Sequence, residues 1–405
     1  MNLPNMNTNR SEQWFIISPF KKVLLALASI FLFSFSCQKK TPQAAIPDRK
    51  FYKWEQFSMG VDLSYVNQVE DYGGRYRDSG KIKDPFRIMK DHGANTVRVR
   101  LWHTPTWVAN LNNGRMYYDL YGVEKTLQRA KDHGLAVNLD IHYSDRWADP
   151  AHQDTPAAWN GLGIEILKDS VYNYTLAVLN YYKSKNLTPE MVQVGNETNS
   201  GMLWPVGKVE NNNWQNFATL LKAGIRAVRD FSAGSAVKPK IILHLAQLQH
   251  ADYWISNLVA NGVTDFDILG LSHYSKWSTF RTMGEVETKL KALKSGYGKD
   301  IMVVETAYPW TGDNADSYSN IISAADKAEG YEVSVQDQLR YMKDLTQAII
   351  NAGGKGIMYW EPAWITSDLN DGWGKGSSWE NNAFFDFSGN VLPVADHMSE
   401  VYIGL

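Results

Sequence analysis

The sequence has very little cysteine. Only one of its 405 residues is Cys, at position 37, which excludes an intramolecular disulfide, a CxxC redox pair and a cysteine-rich zinc site. An excess of charge of one sign is also missing, because 41 Lys and Arg residues are balanced by 43 Asp and Glu residues. No basic run is long enough to follow a phosphate backbone, so nucleic acid is not an expected partner.

A long membrane-spanning run is absent as well. The apolar run at 23–35 follows Lys21 and Lys22 and precedes Ser36 and Cys37, and it is about half of the roughly 20 residues that span a bilayer. This order resembles a bacterial lipoprotein signal, so we expect residues 1–36 to be removed and Cys37 to carry lipid. An ordinary secretory signal with an incidental Cys is the alternative. With lipid on Cys37, the protein would be exported and membrane-anchored at the outer membrane, on its cell-surface or periplasmic face.

After this segment, residues 37–50 form a polar tether with two prolines, and 51–405 are expected to fold as one domain. Short β-rich apolar runs alternate there with longer amphipathic stretches, for example 121–133, 214–231 and 335–352, as βα units around a parallel sheet do. Eight such units in about 350 residues favour a (β/α)8 TIM barrel, with a doubly wound sheet as the alternative. The predicted strands are 58–63, 96–102, 136–142, 191–195, 240–245, 268–272, 301–304 and 356–360.

The predicted strands end in polar and aromatic residues. Catalytic groups of a TIM barrel lie at the C-terminal ends of its strands, and buried polar groups without partners are costly, so these side chains are expected to meet in one site. They are Asp62, Arg98, Arg100, Trp102, Asp140, His142, Asp145, Asn196, Glu197, His273, Tyr274, Glu305, Trp360 and Glu361.

Two of the three glutamates in this set, Glu197 and Glu305, follow buried strands on opposite sides of the barrel. Glu197 follows MVQVGN and Glu305 follows IMVV, so both carboxyl groups could flank one bond at the mouth. Hydrolysis of a glycosidic bond needs such a pair, one carboxyl protonated and the other ionised. A single glutamate here would more simply be an ion-pair partner of Arg98 or Arg100, but two of them favour the catalytic interpretation.

Several motifs resemble glycoside hydrolase family 53, the endo-β-1,4-galactanases. They are GVDLSYV (60–66), RVRLWHTP (98–105), LDIHYSDRWADPAHQ (139–153), QVGNET (193–198), ETAYPWT (305–311), WEPAWI (360–365) and SWENNAFFDFSG (378–389). The resemblance implies a retaining endo-hydrolase of the β-1,4-galactan side chains of pectin. Glu197 would be the acid/base and Glu305 the nucleophile, Asn196 would bind the sugar 2-hydroxyl, and Arg100 and Tyr274 would keep Glu305 ionised.

The chain is rich in aromatic residues, with 15 Trp, 21 Tyr and 15 Phe. Sugar rings present C–H faces that stack on Trp, so a galactan groove should place Trp around the barrel mouth. We expect Trp54, Trp214 and Trp254 to be core residues instead. The expected mouth set is Trp102, Trp147, Trp310, Trp360, Trp364 and Trp379, and Asp62, His142 and Asp145 are further expected substrate contacts.

Two departures from the family pattern concern His103 and a calcium loop. The family usually has Asn at the position of His103, which leaves open a sugar contact or a loop hydrogen bond. Some bacterial members bind calcium after strand seven, but the loop at 311–320 is less acidic than a dedicated site. We expect no required cofactor, and structural calcium only as a secondary possibility. Its candidate ligands are Asp313, Asp316, Asp368 and Asp371.

Three rival functions stay open at this stage. A metal-dependent hydrolase would need about three ligands, and none of the nine His residues forms HxH or HExxH. A glycan-binding surface lipoprotein would share the Trp-rich groove but has no use for a glutamate pair. Another β-1,4-glycanase of the same barrel clan would differ only in the sugar it accepts.

We expect the protein to be a monomer.

Overall fold

The computed structural model describes residues 49–405, which form a closed barrel of eight parallel strands. The predicted segments 1–36 and most of 37–50, including Cys37, lie outside the described residues. Each barrel strand pairs with its neighbours in chain order, and β1 closes the ring against β8. The strands are β1 Ser58–Asp62, β2 Thr96–Leu101, β3 Ala136–Ile141, β4 Met191–Val194, β5 Lys240–Ala246, β6 Ile268–Ser272, β7 Asp300–Thr306 and β8 Gly356–Tyr359.

These strands are buried on both faces, as expected where helices cover a parallel sheet. Every residue of β2, β3, β4, β6 and β8 is buried, and their Val, Ile and Leu side chains suit that position. A short antiparallel pair, Arg77–Asp78 with Lys81–Ile82, lies outside the barrel. The TIM barrel prediction is confirmed, and all eight predicted strands coincide with observed ones within two residues at either end.

Nine α-helices lie in the described part of the chain, and four of them begin at an Asp, Ser or Thr side chain that accepts a backbone N–H of the first turn. Asp84 accepts hydrogen bonds from the backbone N–H groups of Phe86 and Arg87, and Thr282 with Glu285 forms a capping box. The helices are α1 Val66–Asp71, α2 Pro85–Asp91, α3 Thr106–Leu111, α4 Leu120–Asp132, α5 Ile164–Ser184, α6 Gln215–Ala233, α7 Ala251–Ala260, α8 Met283–Tyr297 and α9 Val335–Asn351. None of them is both long and apolar enough to cross a bilayer.

Glycine is required where α2 ends. Gly93 has φ +111°, and a Cβ there would lie 2.6 Å from the Met398 backbone carbonyl. The chain can turn at this point and pack against the C-terminal segment only because the residue has no side chain.

The inside of the barrel changes from apolar to polar along the strand direction. Met191 and Ile268, the first residues of β4 and β6, belong to an apolar cluster against which Trp54 packs. Farther along, Arg98 is in register with Asp62, and Asp140 with both Arg100 and Gln193. The polar groups therefore collect at the C-terminal end, where the loops open the barrel to solvent.

Candidate active site

Glu197 is turned into the barrel mouth by an unusual backbone segment after β4. Gly195 has φ +83° and Glu197 itself has φ +44°, a left-handed conformation that costs free energy in a residue with a side chain. Its backbone N–H points to His244 Nδ1 at 3.3 Å, and Ser272 Oγ donates to Glu197 Oε1 at 2.5 Å. The loop after β4 thus presents a carboxyl group that β5 and β6 hold in place.

Glu305 reaches the mouth because β7 carries one extra residue. Leu271 is in register with Val303, but the next pair is Ser272 with Glu305, so Val304 is inserted between them. Strict alternation would place Glu305 on the outer face, under the helices. The bulge brings it to the inner face beside Ser272, and bulges commonly re-aim side chains next to active sites.

The two glutamates are close together. At least one carboxylate oxygen of Glu197 and one of Glu305 lie within 4.8 Å of each other. Retaining glycosidases hold their carboxyl groups about 5–5.5 Å apart, whereas inverting enzymes leave roughly 6.5–9.5 Å for a water molecule. The separation favours direct attack by one carboxylate.

Arg98 is the cation that holds Glu305. Its guanidinium lies 2.8 Å from Glu305 Oε1 and also 2.8 Å from carboxylate oxygens of Asp62 and Asp140. The Tyr274 hydroxyl donates to Glu305 Oε2 at 3.0 Å, as expected from the sequence. Glu305 therefore forms an ion pair with Arg98 and accepts one hydrogen bond from Tyr274, and both favour its ionised form.

The expected contact between Arg100 and Glu305 is wrong. Arg100 binds Glu361 at 2.7 Å, and its guanidinium lies 4.1 Å from the ring centres of both Tyr65 and Tyr118. Both arginine side chains point to the same side of β2, but Arg100 is two residues nearer the mouth and contacts the loop after β8. Its place is behind the aromatic wall of the cleft and not at the reacting centre.

Burial raises the pKa of Glu197 well above its ordinary value, and the nearby charge of Glu305 raises it further. Burial also raises the pKa of Glu305, to about 7, but Arg98 and the Tyr274 hydroxyl act in the opposite direction. Arg98 contacts the carboxylate of Glu305, and it lowers the pKa of Glu197 only from farther away. Glu305 is therefore the first of the pair to ionise, and Glu197 keeps the proton.

A cleft of about 760 Å³ runs across these glutamates. Of the six Trp residues expected at the mouth, four line it, while Trp102 and Trp310 do not. Trp102 is fully buried and donates to His142 Nδ1, and Trp310 packs on Phe387 at 4.8 Å between ring centres. Trp214 and Trp254 are core residues, as predicted. The four that line the cleft are Trp147, Trp360, Trp364 and Trp379.

Three other expected substrate contacts have structural roles. The Asp62 carboxylate accepts from Arg98 and Ser64, and Asp145 accepts the backbone N–H groups of Thr104 and Ala157. His142 Nε2 lies 3.0 Å from Asp140 Oδ2, and its Nδ1 accepts from Trp102 and the Ala148 backbone. None of the three lines the cleft. Each instead fixes a loop backbone or another side chain near the barrel mouth.

The structure shows whether His103 contacts the sugar site or makes a loop hydrogen bond. Its Nδ1 lies 2.8 Å from Thr104 Oγ1, and its ring packs against Trp159 and Tyr174 at 4.8 and 4.6 Å between centres. The residue makes a loop hydrogen bond, and it is not part of the cleft lining.

Several lining residues were not predicted from the sequence. Trp277 and Trp373 are 43% and 50% exposed and line the cleft together with Gln247, Gln249 and Tyr65. The position of Trp277, three residues after Tyr274, was a usable signal. Trp373 and the glutamines lie in loops whose course the sequence pattern does not indicate.

The comparison with known proteins agrees with this geometry. The sequence profile of Glycosyl hydrolase family 53 matches residues 58–398. The chain belongs to glycosyl hydrolase family 53. The resemblance found in the sequence motifs is thereby confirmed.

Individual members of family 53 match over most of their length. The arabinogalactan endo-beta-1,4-galactanase of Cellvibrio japonicus is 41% identical over 378 residues, covering 92% of this chain and 96% of its own length. The endo-beta-1,4-galactanase of Bacillus subtilis is 32% identical, covering 84% of each chain. Among solved structures, the Ignisphaera aggregans GH53 catalytic domain has a TM-score of 0.77 and 37% identity, covering 86% of this chain and 97% of its own.

The loop that binds calcium in some family 53 members does not fit such a site here. Asp316 accepts backbone N–H groups of Tyr318 and Ser377, Asp371 accepts those of Trp373 and Gly374, and Asp368 pairs with Lys375 at 2.8 Å. These carboxylates therefore stabilise the loops after β7 and β8. Within residues 49–405, they do not form a cluster with metal-ligand spacing.

One cluster with metal-ligand spacing occurs in the described part of this family 53 chain, at Glu197, His244 and Glu305. Both ring nitrogens of His244 already have partners, since Nε2 donates to Ser272 Oγ at 2.9 Å and Nδ1 accepts from Gln193 Nε2 at 3.0 Å. Burial and the nearby charge of Arg98 lower the pKa of His244 well below its ordinary value. A neutral histidine engaged on both sides is better suited to positioning Ser272 and Glu197 than to binding a cation.

Removing Arg98 should destabilise the protein strongly. Arg98→Met would leave Asp62, Asp140 and Glu305 buried without their shared cation, and losing one partner of a buried pair costs about 3–5 kcal/mol. We expect a loss of that size in the free energy of unfolding at pH 7, measured by urea denaturation. The control is Arg115→Met, which removes an exposed pair with Asp71 and should leave the midpoint unchanged. Equal losses would contradict the assigned role of Arg98.

Proposed function

We propose that this chain is an endo-acting, retaining hydrolase of β-1,4-galactosidic bonds in galactan and arabinogalactan. The observation that carries the proposal is the glutamate pair, with carboxylate oxygens within 4.8 Å, in a Trp-lined cleft. The arginine on Glu305 and the burial of Glu197 give the two carboxyl groups opposite protonation states, as the reaction needs. Family membership and the names of the relatives support galactan as the substrate.

In the first step, the ionised Glu305 attacks the anomeric carbon and forms a glycosyl ester. The bond between that carbon and O4 of the next galactose breaks, and Glu197 gives its proton to this leaving oxygen. Asn196 uses Oδ1 to accept from Arg98 and one amide hydrogen to bind the Ala148 carbonyl. Its second amide hydrogen is available for the 2-hydroxyl of the sugar, a contact that strengthens in the transition state.

In the second step, water attacks the anomeric carbon of the glycosyl ester. Glu197, now ionised, takes a proton from this water, and Glu305 leaves as a carboxylate. The proton returns to Glu197 and the enzyme is restored. Two inversions at one carbon give overall retention of the β configuration.

Linear β-1,4-galactan provides the test. We expect new reducing ends, with a broad mixture of oligosaccharides early in the reaction, because internal cutting precedes the accumulation of small sugars. EDTA should leave the rate unchanged, because the loop carboxylates are occupied by backbone amides and a lysine. Binding without new reducing ends would favour a glycan-binding lipoprotein, and loss of activity with EDTA would favour a metal hydrolase. Preferential cleavage of β-1,4-glucan or mannan would indicate another glycanase of the same clan.

The pH profile should report the two carboxyl groups separately. Activity needs Glu305 ionised, so kcat/KM falls as pH drops below its pKa, and it needs Glu197 protonated, so kcat/KM falls as pH rises above the higher pKa. The hydrogen bond from Tyr274 lowers the pKa of Glu305, and that from Ser272 lowers the pKa of Glu197. Tyr274→Phe should therefore move the acid limb to higher pH, and Ser272→Ala should move the alkaline limb to higher pH.

The measurement is kcat/KM on galactan across pH for the wild type and both variants. Movement of the acid limb to lower pH in Tyr274→Phe would contradict the assignment of Glu305. Movement of the acid limb alone in Ser272→Ala would contradict that of Glu197.

We further propose that the protein is exported, anchored by lipid on Cys37 and monomeric, without a required cofactor. The basic pair, apolar run and Cys at 21–37 support the anchor. Cys37→Ser should abolish incorporation of labelled palmitate and release the protein from outer membranes, measured by fractionation of expressing cells. Unchanged membrane association of Cys37→Ser would favour another anchor, and recovery of the wild type in the soluble fraction would favour an ordinary secretory signal.

A further inference from the structure

The end of the barrel opposite the cleft exposes large apolar side chains. Phe51, Val401 and Ile403 are 58%, 51% and 83% exposed. Hydrogen bonds tie residues 50–52 to residues 399–402, so the two segments that carry these side chains are neighbours. A single exposed apolar residue is common, but three on adjacent segments indicate a surface that binds something.

This patch lies at the N-terminal ends of the barrel strands. The segment 49–57 leads directly into β1. The side chain of Gln347, near the end of α9, donates to the Ile403 carbonyl at 3.0 Å, and α9 ends shortly before β8 begins. Glu197 and Glu305 lie at the C-terminal ends of their strands, so the patch and the cleft are at opposite ends of the barrel.

The same end of the barrel is rich in lysine. Lys240 is the first residue of β5, Lys238 lies two residues earlier, Lys355 immediately precedes β8, and Lys53 lies in the segment before β1. All four side chains are exposed, and the ion pairs at this end of residues 49–405 include none of them. Because β1 and β5 lie across the barrel from each other, the lysines stand on both sides of this end.

The acidic groups at this end are mostly neutralised by other cations. Residues of the surrounding helices pair with five of them: Lys131 with Glu190, Arg229 with Asp265 and Asp267, Lys294 with Asp300, and Lys343 with Glu400. Lys50 donates to the C-terminal residue, Leu405. Glu55, before β1, is an exposed exception. Outside its ion pairs, this end of the barrel therefore carries a net positive charge.

A phospholipid surface matches this combination of positive charge and apolar side chains. Lysines attract anionic head groups, and exposed apolar side chains enter the boundary between head groups and acyl chains. Cys37, the proposed site of lipid, is twelve residues before Arg49, and that length of chain extends at most about 40 Å. The anchor therefore keeps this end of the barrel close to the bilayer. A second copy of the chain fits less well, because it would bring two positive surfaces together.

We propose that the N-terminal end of the barrel rests on the anionic head groups of the membrane to which Cys37 is anchored. This inference goes beyond galactan hydrolysis and rests on the proposed lipid anchor. The contact surface, called the basal face, consists of the four lysines together with Phe51, Val401 and Ile403. The cleft then faces away from the membrane, where a long polysaccharide can enter it.

Fluorescence quenching by a spin-labelled lipid measures this orientation on the mature lipoprotein. Cys37 is the only cysteine and its thiol carries the lipid, so a bimane label reacts only at an introduced cysteine. Ile403→Cys places the label on the basal face, Ala315→Cys in the loop after β7 at the mouth, and Gln128→Cys on the exposed side of α4. Each protein is reconstituted into vesicles of POPE and POPG in which one lipid carries a nitroxide on its head group. We expect Ile403→Cys to lose most of its fluorescence and the other two labels to keep most of theirs.

The contribution of the lysines is tested in the Ile403→Cys protein. Each lysine near an anionic surface contributes about fivefold to binding, so Lys240→Gln combined with Lys355→Gln should lower the ratio of docked to undocked protein about 25-fold. Replacing POPE and POPG by POPC should also lower this ratio. The matched control is Lys125→Gln on the exposed side of α4, which should leave the ratio unchanged.

Three results would overturn the proposal. Equal quenching at Ile403→Cys and Ala315→Cys would show that the barrel rotates freely on its tether. Absence of quenching at Ile403→Cys and at Val401→Cys would show that lipid does not cover the basal face, and quenching that the lysine substitutions leave unchanged would show that anionic head groups do not hold it. Failure of the anchor gives a different result, because the wild type would itself take up bimane at Cys37, and the membrane contact would be overturned with it. Failure of galactan hydrolysis would change none of these measurements.

Discussion

Glu305→Gln is expected to lower kcat on linear β-1,4-galactan by roughly 10⁴-fold or more, since groups that act as one catalytic unit lose about that much when one is removed. The amide has the size of the carboxyl group but cannot form the glycosyl ester. Its amide oxygen can still accept from Arg98, and its amide nitrogen can donate to the Tyr274 hydroxyl oxygen. Affinity for galactan should therefore survive, measured by calorimetry with an oligosaccharide alongside steady-state turnover.

The matched control for this variant lies at the other end of the barrel. Glu190 immediately precedes β4, pairs with Lys131 and accepts the Val137 backbone N–H at 2.7 Å, so Glu190→Gln changes a partly buried glutamate outside the cleft. Its kcat should match that of the wild type. Near-normal turnover in Glu305→Gln would remove the nucleophile assignment, and loss of galactan binding would point to a folding defect.

Glu197→Ala should produce an enzyme that azide rescues. General acid and base catalysis contributes about 10²–10⁴-fold, and an activated substrate such as 2,4-dinitrophenyl β-galactobioside needs no acid for its first step. The glycosyl ester on Glu305 should then accumulate, because no base remains to activate water. Azide attacks it without a base, so kcat should rise with azide concentration and the product should be a β-galactosyl azide.

The stereochemistry of the azide product decides the outcome. An α-galactosyl azide would mean direct displacement from the substrate, which contradicts a covalent intermediate. No response to azide in a folded variant would mean that Glu197 is not the general base. Wild-type enzyme with azide serves as the control and should give free sugar only.

The barrel was predictable because its strands are continuous apolar runs that stand out in the sequence. Runs such as KIILHLA at β5 are apolar almost throughout and end at polar residues, and parallel strands are buried on both faces. Asn196 and Glu197, Tyr274 and Glu305 were located from the same rule, since each follows or ends such a run. Most of the confirmed features therefore depend on one strong periodic signal.

The partner of Glu305 was not predictable in this way. Arg98 and Arg100 share one side of β2, and only the lateral offset of neighbouring strands decides which carboxylate each one meets. Glu305 itself faces inward because of the bulge at Val304, and nothing in IMVVET marks an inserted residue. Pairing between distant strands is a property of the closed sheet and not of any one segment.

The cleft walls were predicted least well. Trp102 and His142 end strands but are buried in mutual contact behind the wall, whereas Trp373 and Gln247 face the cleft from positions that the strand pattern does not distinguish. Their placement depends on loop backbones, including positive φ at Gln247 and Glu361. Local residue preferences disfavour that conformation for such side chains, so the sequence argues against it.

The most direct test of the glutamate pair is the configuration of the first sugar released from linear β-1,4-galactan, followed by proton NMR before the anomers interconvert. A double displacement through Glu305 predicts the β anomer first, with the α anomer appearing only as mutarotation proceeds. If the α anomer appears first, water has attacked directly, and the assignment of Glu305 as nucleophile and Glu197 as acid/base is contradicted.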